Sequence, residues 1–254
     1  MKNFIISPIA KRIIVRFSNK CVILPLDIQD KVDAYWDELI KSGKNYKRGE
    51  VFTVTKKEEF EDRIDILVEK TDYAHYLYCQ NIDALGENGV HIIHTAALVE
   101  TSDEKIIFGK MGNQTSRSEI HQLCGGGIDN NDLRDDIFDL NHNIKKELEE
   151  ELGINIDDSK RIETFGLAYF KEGGPTNKMT VTYKVKLNET SEEFMEKYNE
   201  FVLYLKKNNK LPEFGDIIIL NKDKKSLNDF FNKNDIRLDE YMRPLFEYIS
   251  KHSF

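Results

Sequence analysis

Apolar residues in the first third of the chain fall into short runs that predict strands around a single helix. The runs at 13–17 and 21–26 are separated by three polar residues, a pattern that predicts a β-hairpin. Residues 30–41, which include Trp36, place their apolar side chains at helical spacing. The other elements predicted here are strands at 51–55 and 63–69 and a tyrosine-rich segment at 72–80 that fits either a strand or a helix.

The turn-forming segment 84–89 marks a predicted boundary, after which the pattern changes. Strands predicted at 91–100 and 105–110 are joined by a polar hairpin turn. The remaining predicted elements are strands at 162–169, 179–187 and 215–220 and helices at 192–208, 226–232 and 238–251. Irregular alternation of this kind predicts an α/β (α+β) fold on a mixed sheet. We expect a strand-rich N-terminal region at 1–88 and a second domain at 89–254.

Composition narrows the classes of partner. The net charge is -8, and an acidic surface repels a phosphodiester backbone, so a nucleic acid polymer is not expected. A small anion is compatible with this charge, because a bound cation reverses the local sign. No apolar run reaches the roughly 20 residues of a membrane span, and we expect a cytoplasmic protein. The cysteines are few and far apart, which predicts reduced thiols: Cys21, Cys79 and Cys124.

An apolar stripe predicts a helix that follows the run Gly125-Gly126-Gly127. The stripe recurs at three- and four-residue spacing and can pack on a sheet. Its members are Ile137, Leu140, Ile144, Leu148 and Leu152. Gly153 is placed to end the helix in the left-handed conformation.

Three glutamates share one side of this predicted helix. Glu147, Glu150 and Glu151 stand at i, i+3 and i+4, whereas Glu149 points away from them. Three carboxylates on one face repel one another unless a cation neutralises them, and hard oxygen ligands suit Mg²⁺ or Mn²⁺. The alternative is a solvated helix face supported by i,i+4 pairs of lysine and glutamate.

The segment resembles the signature of Nudix hydrolases. Residues 146–154, Lys-Glu-Leu-Glu-Glu-Glu-Leu-Gly-Ile, match the second half of that signature, with Lys146 where the family has arginine. Gly125-Gly126-Gly127-Ile128-Asp129 resembles its glycine-rich start, which lies too far from the helix and indicates an insertion at 130–136. The resemblance implies an α/β/α sandwich on a mixed sheet within residues 89–254. The glutamate of the signature's first half has no clear counterpart.

The resemblance also implies a mechanism and roles for residues. Nudix enzymes cut within the pyrophosphate of a nucleoside diphosphate that is linked to another group. Glu147, Glu150 and Glu151 would bind Mg²⁺ or Mn²⁺, with Glu150 and Glu151 also catalytic. The substrate-binding candidates are Gly125, Gly126, Gly127 and Arg117. A further catalytic carboxylate is expected from a later loop, with Glu172 as first candidate and Glu213 as second.

Substrate choice has to come from outside the helix. The long N-terminal region with its tryptophan-bearing helix resembles the UDP-glucose and UDP-galactose branch of the superfamily. The alternatives are hydrolysis of ADP-ribose or dinucleotides, and a nucleotide-binding regulator with a weakened site. Residues that could contact the base or the phosphates are Tyr73, Tyr76, Tyr78, Tyr169 and Lys110, whereas His91 and His94 are interpreted as structural. A homodimer formed through residues 1–88 is a further open alternative.

Overall fold

Two β-sheets form the frame of the part of the chain that the structure describes. The computed structural model describes residues 3–9, 11–233 and 235–252. The strands are β1 (Phe4–Pro8), β2 (Arg12–Cys21), β3 (Glu50–Glu59), β4 (Arg63–Asp72), β5 (Ile93–Glu100), β6 (Lys105–Met111), β7 (Ile120–Gln122), β8 (Leu133–Arg134), β9 (Ile137–Phe138), β10 (Ile162–Gly173), β11 (Met179–Leu187), β12 (Phe214–Asn221) and β13 (Arg237–Leu238). The helices are α1 (Leu26–Lys41), α2 (Tyr73–Asn81), α3 (Leu140–Leu152), α4 (Ser191–Lys207), α5 (Lys224–Phe231) and α6 (Met242–His252).

The larger sheet is mixed and lies between two layers of helices. Its strand order is β1-β10-β11-β5-β6-β7-β13, with β12 also paired to β6, and β5 runs parallel to β11. Along β5, Ala97 and Val99 point into a core that includes residues of α3 and α4. Ala96 and Leu98 point into a second core against α5 and α6. This alternation makes an α/β/α sandwich and confirms the predicted fold class.

The smaller sheet has the order β3-β4-β2-β9-β8 and packs into the same core as α3. Two of its strands, β8 and β9, come from the segment between the glycine run and α3, where the sequence indicates an insertion. In the other direction, β1 pairs with β10 of the larger sheet. Each sheet therefore contains strands from both sides of the boundary predicted at 88/89, and the division of the chain there stays a prediction.

The N-terminal elements differ from two expectations. The predicted hairpin of 13–17 and 21–26 is wrong. A single strand, β2, contains the first run and ends at Cys21, the first residue of the second run. It pairs parallel to β4 on either side of an irregularity between Phe17 and Cys21. That irregularity absorbs the polar residues that suggested a turn. The undecided segment 72–80 forms α2, since Asp72 caps it by accepting a hydrogen bond from the His75 backbone N–H.

The acidic helix and the last helix begin later than expected. Asp139 caps α3 through the His142 backbone N–H, so the helix starts at Leu140, and Ile137 belongs instead to β9. The C-terminal end agrees with the sequence, because Gly153 has a φ of 64°. The helix expected from 238 starts at Met242, after the short strand β13. None of the described helices is long and apolar enough to cross a bilayer.

Candidate active site

The glycine run lies along β5 and faces the acidic helix. The Ala97 backbone N–H donates to the Cys124 carbonyl at 2.7 Å, and the Thr95 backbone N–H donates to the Gly126 carbonyl at 3.0 Å. At Gly125 a Cβ atom would lie less than 3.0 Å from the backbone of Thr95. A side chain at this position would therefore push the segment away from β5.

Two of the three glycines contact the glutamates of α3 directly. The Gly125 backbone N–H donates to Glu151 Oε2 at 2.8 Å. A Cβ atom at Gly126 would come within 3.0 Å of the Glu147 carboxylate. The third glycine, Gly127, accepts a hydrogen bond through its carbonyl from Asn143 of α3. The glycine run thus helps to position α3 and its carboxylates.

The acidic face is crowded and poorly hydrated at two of its three glutamates. Glu151 is 2% exposed, whereas Glu150 lies in solvent. Burial raises the pKa of Glu147 to about 8, opposed by Lys146 and reinforced by Glu213 and Glu150. Burial also raises the pKa of Glu151 well above its usual range, with further repulsion from Glu147 and Glu213. The solvated helix face considered as the alternative does not describe Glu147 and Glu151.

Lys146 points toward the inserted loop rather than mainly toward the glutamates. Its Nζ lies 2.8 Å from Asp129 Oδ2 and 3.3 Å from Asp132 Oδ1, but 4.0 Å from Glu147. Asp132 is fully buried and also accepts from Asn143 Nδ2 at 2.8 Å. The lysine that stands in the arginine position therefore ties the loop to α3.

The two late carboxylates are placed very differently. Glu213 borders the same cleft as Glu147 and Glu151, and burial followed by repulsion from Glu150 raises its pKa. Glu172 lies on β10 and forms an ion pair with Lys57, and it does not line the cleft. The structure thus brings the second sequence candidate into the site and leaves the first outside it, because β10 turns Glu172 toward the smaller sheet.

A cleft of about 860 Å³ runs from the acidic helix to the C-terminal part of the chain. One part of its lining, which we call the acidic end, is formed by the glycine run together with Glu147, Glu151 and Glu213. Another part is a set of ionic and polar side chains, which we call the ion cluster. Its members are His94, Arg117, Thr176, Lys178, Asp239 and Glu240. A cleft of this size and mixed lining is typical of a site for a small molecule.

The ion cluster is internally paired. Arg117 and Lys178 both contact Asp239, the latter at 2.8 Å, although these residues are far apart in sequence. Burial alone would raise the pKa of Asp239, but the charges of Lys178 and Arg117 hold it well below its usual range. Buried Lys171 pairs in the same way with Glu240. Arg117, expected to meet phosphates, therefore lines the cleft as part of an ion pair.

The other candidates for contacts to the base or phosphates separate into two groups. Tyr73 and Tyr76 line the cleft. Tyr78 packs against Tyr35, and Tyr169 packs against Tyr248, both outside the cleft lining. Lys110 forms an exposed ion pair with Glu119. Sequence reasoning missed Tyr46, which also lines the cleft and whose isolated position offers no pattern that could have shown it.

The carboxylates at the acidic end fit a hard divalent cation by their chemistry. Oxygen donors of this kind suit Mg²⁺ or Mn²⁺, and a cation would offset the repulsion among Glu147, Glu151 and Glu213. In the ranges 3–9, 11–233 and 235–252, no three or more His, Cys, Asp or Glu side chains converge closely enough to hold a metal ion as they stand. Coordination would therefore require these side chains to turn toward the ion.

Comparisons with known proteins give a likeness in structure only. No model of a known protein family matches the chain. No curated protein matches it. Among solved structures, the MutT protein from Methanosarcina mazei Go1 matches with 15% identity and a TM-score of 0.37, covering 64% of this chain and 95% of that one.

Two other solved structures are complexes with nucleotides. The Nudix domain of Shewanella oneidensis NrtR, complexed with ADP ribose, has 13% identity and a TM-score of 0.39 and covers 70% of this chain and 97% of that one. A bifunctional NMN adenylyltransferase/ADP ribose pyrophosphatase from Francisella tularensis, complexed with AMP and a Mn ion, has 12% identity and a TM-score of 0.43, covering 71% and 48%. At identities and TM-scores this low, functional interpretation rests on the residues of this chain.

Proposed function

We propose that the protein is a Nudix-type pyrophosphohydrolase that uses a divalent cation to cleave a nucleoside diphosphate linked to another group. One observation carries this proposal. Glu151 is buried and Glu147, whose side chain is 15% exposed, lies beside it in the lining of the cleft, in contact with the glycines at 125 and 126. Glu213 borders them from the bend just before β12. Carboxylates gathered in this way are costly to ionise, so the site takes up either protons or a cation, and a cation is the occupant that we propose.

Different residues of the chain would carry out different parts of the reaction. Glu147, Glu150 and Glu151 would hold Mg²⁺ or Mn²⁺, with Glu213 as a fourth carboxylate. A cation in this position would draw electron density from the phosphoryl oxygens and make phosphorus easier to attack by water. Because burial raises the pKa of Glu213 above that of an ordinary glutamate, Glu213 is suited to accept the proton of the attacking water. We therefore assign the role of late catalytic carboxylate to Glu213 in place of Glu172.

The substrate we favour is a nucleotide sugar such as UDP-glucose, with ADP-ribose and dinucleotides as alternatives. Besides the carboxylates, the cleft lining includes a polar set in which donors and acceptors are mixed: Arg117 and Lys178 donate, and Asp239 and Glu240 accept. A sugar hydroxyl both donates and accepts, so it matches such a mixed set better than a phosphate, which only accepts. This match supports a polyhydroxylated group on the far side of the diphosphate.

The test is a screen of UDP-glucose, ADP-ribose and a dinucleotide with Mg²⁺ and identification of the products, for the wild type beside Glu151→Gln. We expect a nucleoside monophosphate from at least one substrate. We expect turnover to fall roughly 100-fold or more in Glu151→Gln, the scale of loss when an electrostatic stabiliser of the transition state is removed. Thermal unfolding in the presence of a chelator should show that the variant is folded. Equal turnover by the two proteins would falsify the cation-site assignment.

A further inference from the structure

Three tyrosines form a continuous aromatic wall in the cleft, and all of them come from the first 88 residues. The ring centroids of Tyr46 and Tyr73 are 6.0 Å apart with an interplanar angle of 89°. Those of Tyr73 and Tyr76 are 5.8 Å apart at 26°, which is a stacked arrangement. Each ring is only partly buried and lines the cleft. We call these residues the tyrosine wall.

The tyrosine wall is not part of the hydrophobic core of its own region. That core is formed by Val32, Ala74 and Tyr78, with partly buried neighbours that do not include the wall. Tyr73 opens α2 at the end capped by Asp72, and its hydroxyl donates to Ser116 Oγ at 3.0 Å. Tyr73 is therefore held in place by the start of α2 and by a hydrogen bond to another residue of the cleft lining. Packing of the fold does not account for the three ring faces of the wall.

The wall lies in the same cleft as the acidic end and the ion cluster. The Tyr73 hydroxyl donates to Ser116, the residue before Arg117, so the wall contacts the segment that carries this member of the cluster. A ligand whose diphosphate meets Glu147 and Glu151 can reach both the wall and the ion cluster within one cleft of about 860 Å³. The two groups attached to the diphosphate thus have two chemically different places to bind.

The chemistry of the wall selects a flat aromatic ring. A tyrosine face carries partial negative charge, which disfavours phosphate, and it offers no fixed donor or acceptor for sugar hydroxyls. The face of a nucleobase stacks on such a ring whatever the base. Sugar hydroxyls have a better match in the mixed donors and acceptors of the ion cluster.

We propose that Tyr73 and Tyr76 bind the base of the substrate by stacking. Residues 1–88 would then help to select a ligand that carries a base over one that carries none. This inference deepens the proposed function and rests on it for the position of the diphosphate. The wall makes the N-terminal region part of the binding site rather than only a companion to it.

The test measures binding instead of turnover, so that it stands apart from catalysis. UMP, AMP, ribose 5-phosphate and glucose 1-phosphate are titrated by calorimetry with Mg²⁺ into the wild type, Tyr73→Phe and Tyr73→Leu. Phenylalanine keeps the ring and loses the hydroxyl, whereas leucine keeps apolar volume and loses the ring. Tyr204→Leu is the matched control, since Tyr204 is 62% exposed on α4.

We expect Tyr73→Leu to weaken UMP and AMP binding about tenfold, near the lower end of the loss of one base stack, and Tyr73→Phe to change it little. Ribose 5-phosphate, glucose 1-phosphate and the Tyr204→Leu control should be unaffected. The proposal is overturned if Tyr73→Leu leaves nucleotide binding unchanged, if both Tyr73 variants weaken it equally, or if glucose 1-phosphate is the ligand that loses affinity. Nucleotide binding with this pattern but no hydrolysis would overturn the proposed function and leave the base site standing.

Discussion

The two charged parts of the cleft lining differ in how their ionisable groups are compensated. At the acidic end, Glu147, Glu151 and Glu213 are all carboxylates, and burial raises the pKa of each. At the ion cluster, Asp239 lies between Arg117 and Lys178, and its pKa is lowered. The first arrangement gains free energy from an added cation, whereas the second is already neutralised by the protein. The comparison teaches that a charged cleft residue is a candidate cation ligand only where its neighbours leave it uncompensated.

The largest effect is expected from removing the shared counter-ion of the ion cluster. Asp239→Asn removes the counter-ion of buried Lys178 and of Arg117, whose side chain is 34% exposed, so we expect a loss of about 3–5 kcal/mol in the free energy of unfolding. Urea unfolding at neutral pH measures it. Asp136→Asn is the matched control, because its pair with Arg16 is about half exposed, and it should cost no more than about 1 kcal/mol.

The same variant has a defined pH dependence. Because the folded-state pKa of Asp239 is lowered, its contribution is present above the unfolded pKa of about 3.9 and is lost as the pH falls below it. The difference in stability between wild type and Asp239→Asn should therefore narrow in acid. A difference of less than about 1 kcal/mol at neutral pH would show that the buried pair is not holding the C-terminal part of the cleft.

The next largest effect is expected at the acidic end. Glu213→Gln removes the carboxylate that borders Glu147 and Glu151, and we expect turnover to fall roughly 100-fold with the fold intact. Glu172→Gln, the matched change on β10, should keep most of the wild-type turnover because Glu172 pairs with Lys57 outside the cleft. Steady-state kinetics on the best substrate of the screen separates the two. The reverse ranking would return the catalytic role to Glu172.

A smaller effect is expected where the glycine run meets the helix. Gly126→Ala adds a Cβ atom less than 3.0 Å from the Glu147 carboxylate, so that side chain must move. We expect kcat to fall about tenfold, because a small displacement of a catalytic group is costly. Gly127→Ala is the control, as a Cβ there meets nothing within 4 Å. If both variants retain full activity, the close approach of Gly126 has no part in positioning Glu147.

Patterns local in sequence predicted the elements that local interactions decide. The stripe Leu140, Ile144, Leu148 and Leu152 gave the buried face of α3, and Gly153 gave its end. The polar break after residue 17 misled, because pairing with β4 continues on both sides of it. Ile137 was assigned to the helix since its spacing fits, but a capping aspartate at 139 and pairing with β2 place it in a strand.

The sequence by itself determined the acidic helix, the positions of most strands along the chain and the shared face of Glu147, Glu150 and Glu151, because helical and strand periodicity act over a few residues. Only the tertiary structure placed Glu213 in the cleft lining and Glu172 outside it, separated Tyr73 and Tyr76 from Tyr78 and Tyr169, and joined Arg117 and Lys178 to Asp239. The ion pairs of the cluster, for example, join residues that are 61 and 122 positions apart in the sequence. Sheet pairing brings such residues together, and no local pattern records which strand will lie beside which.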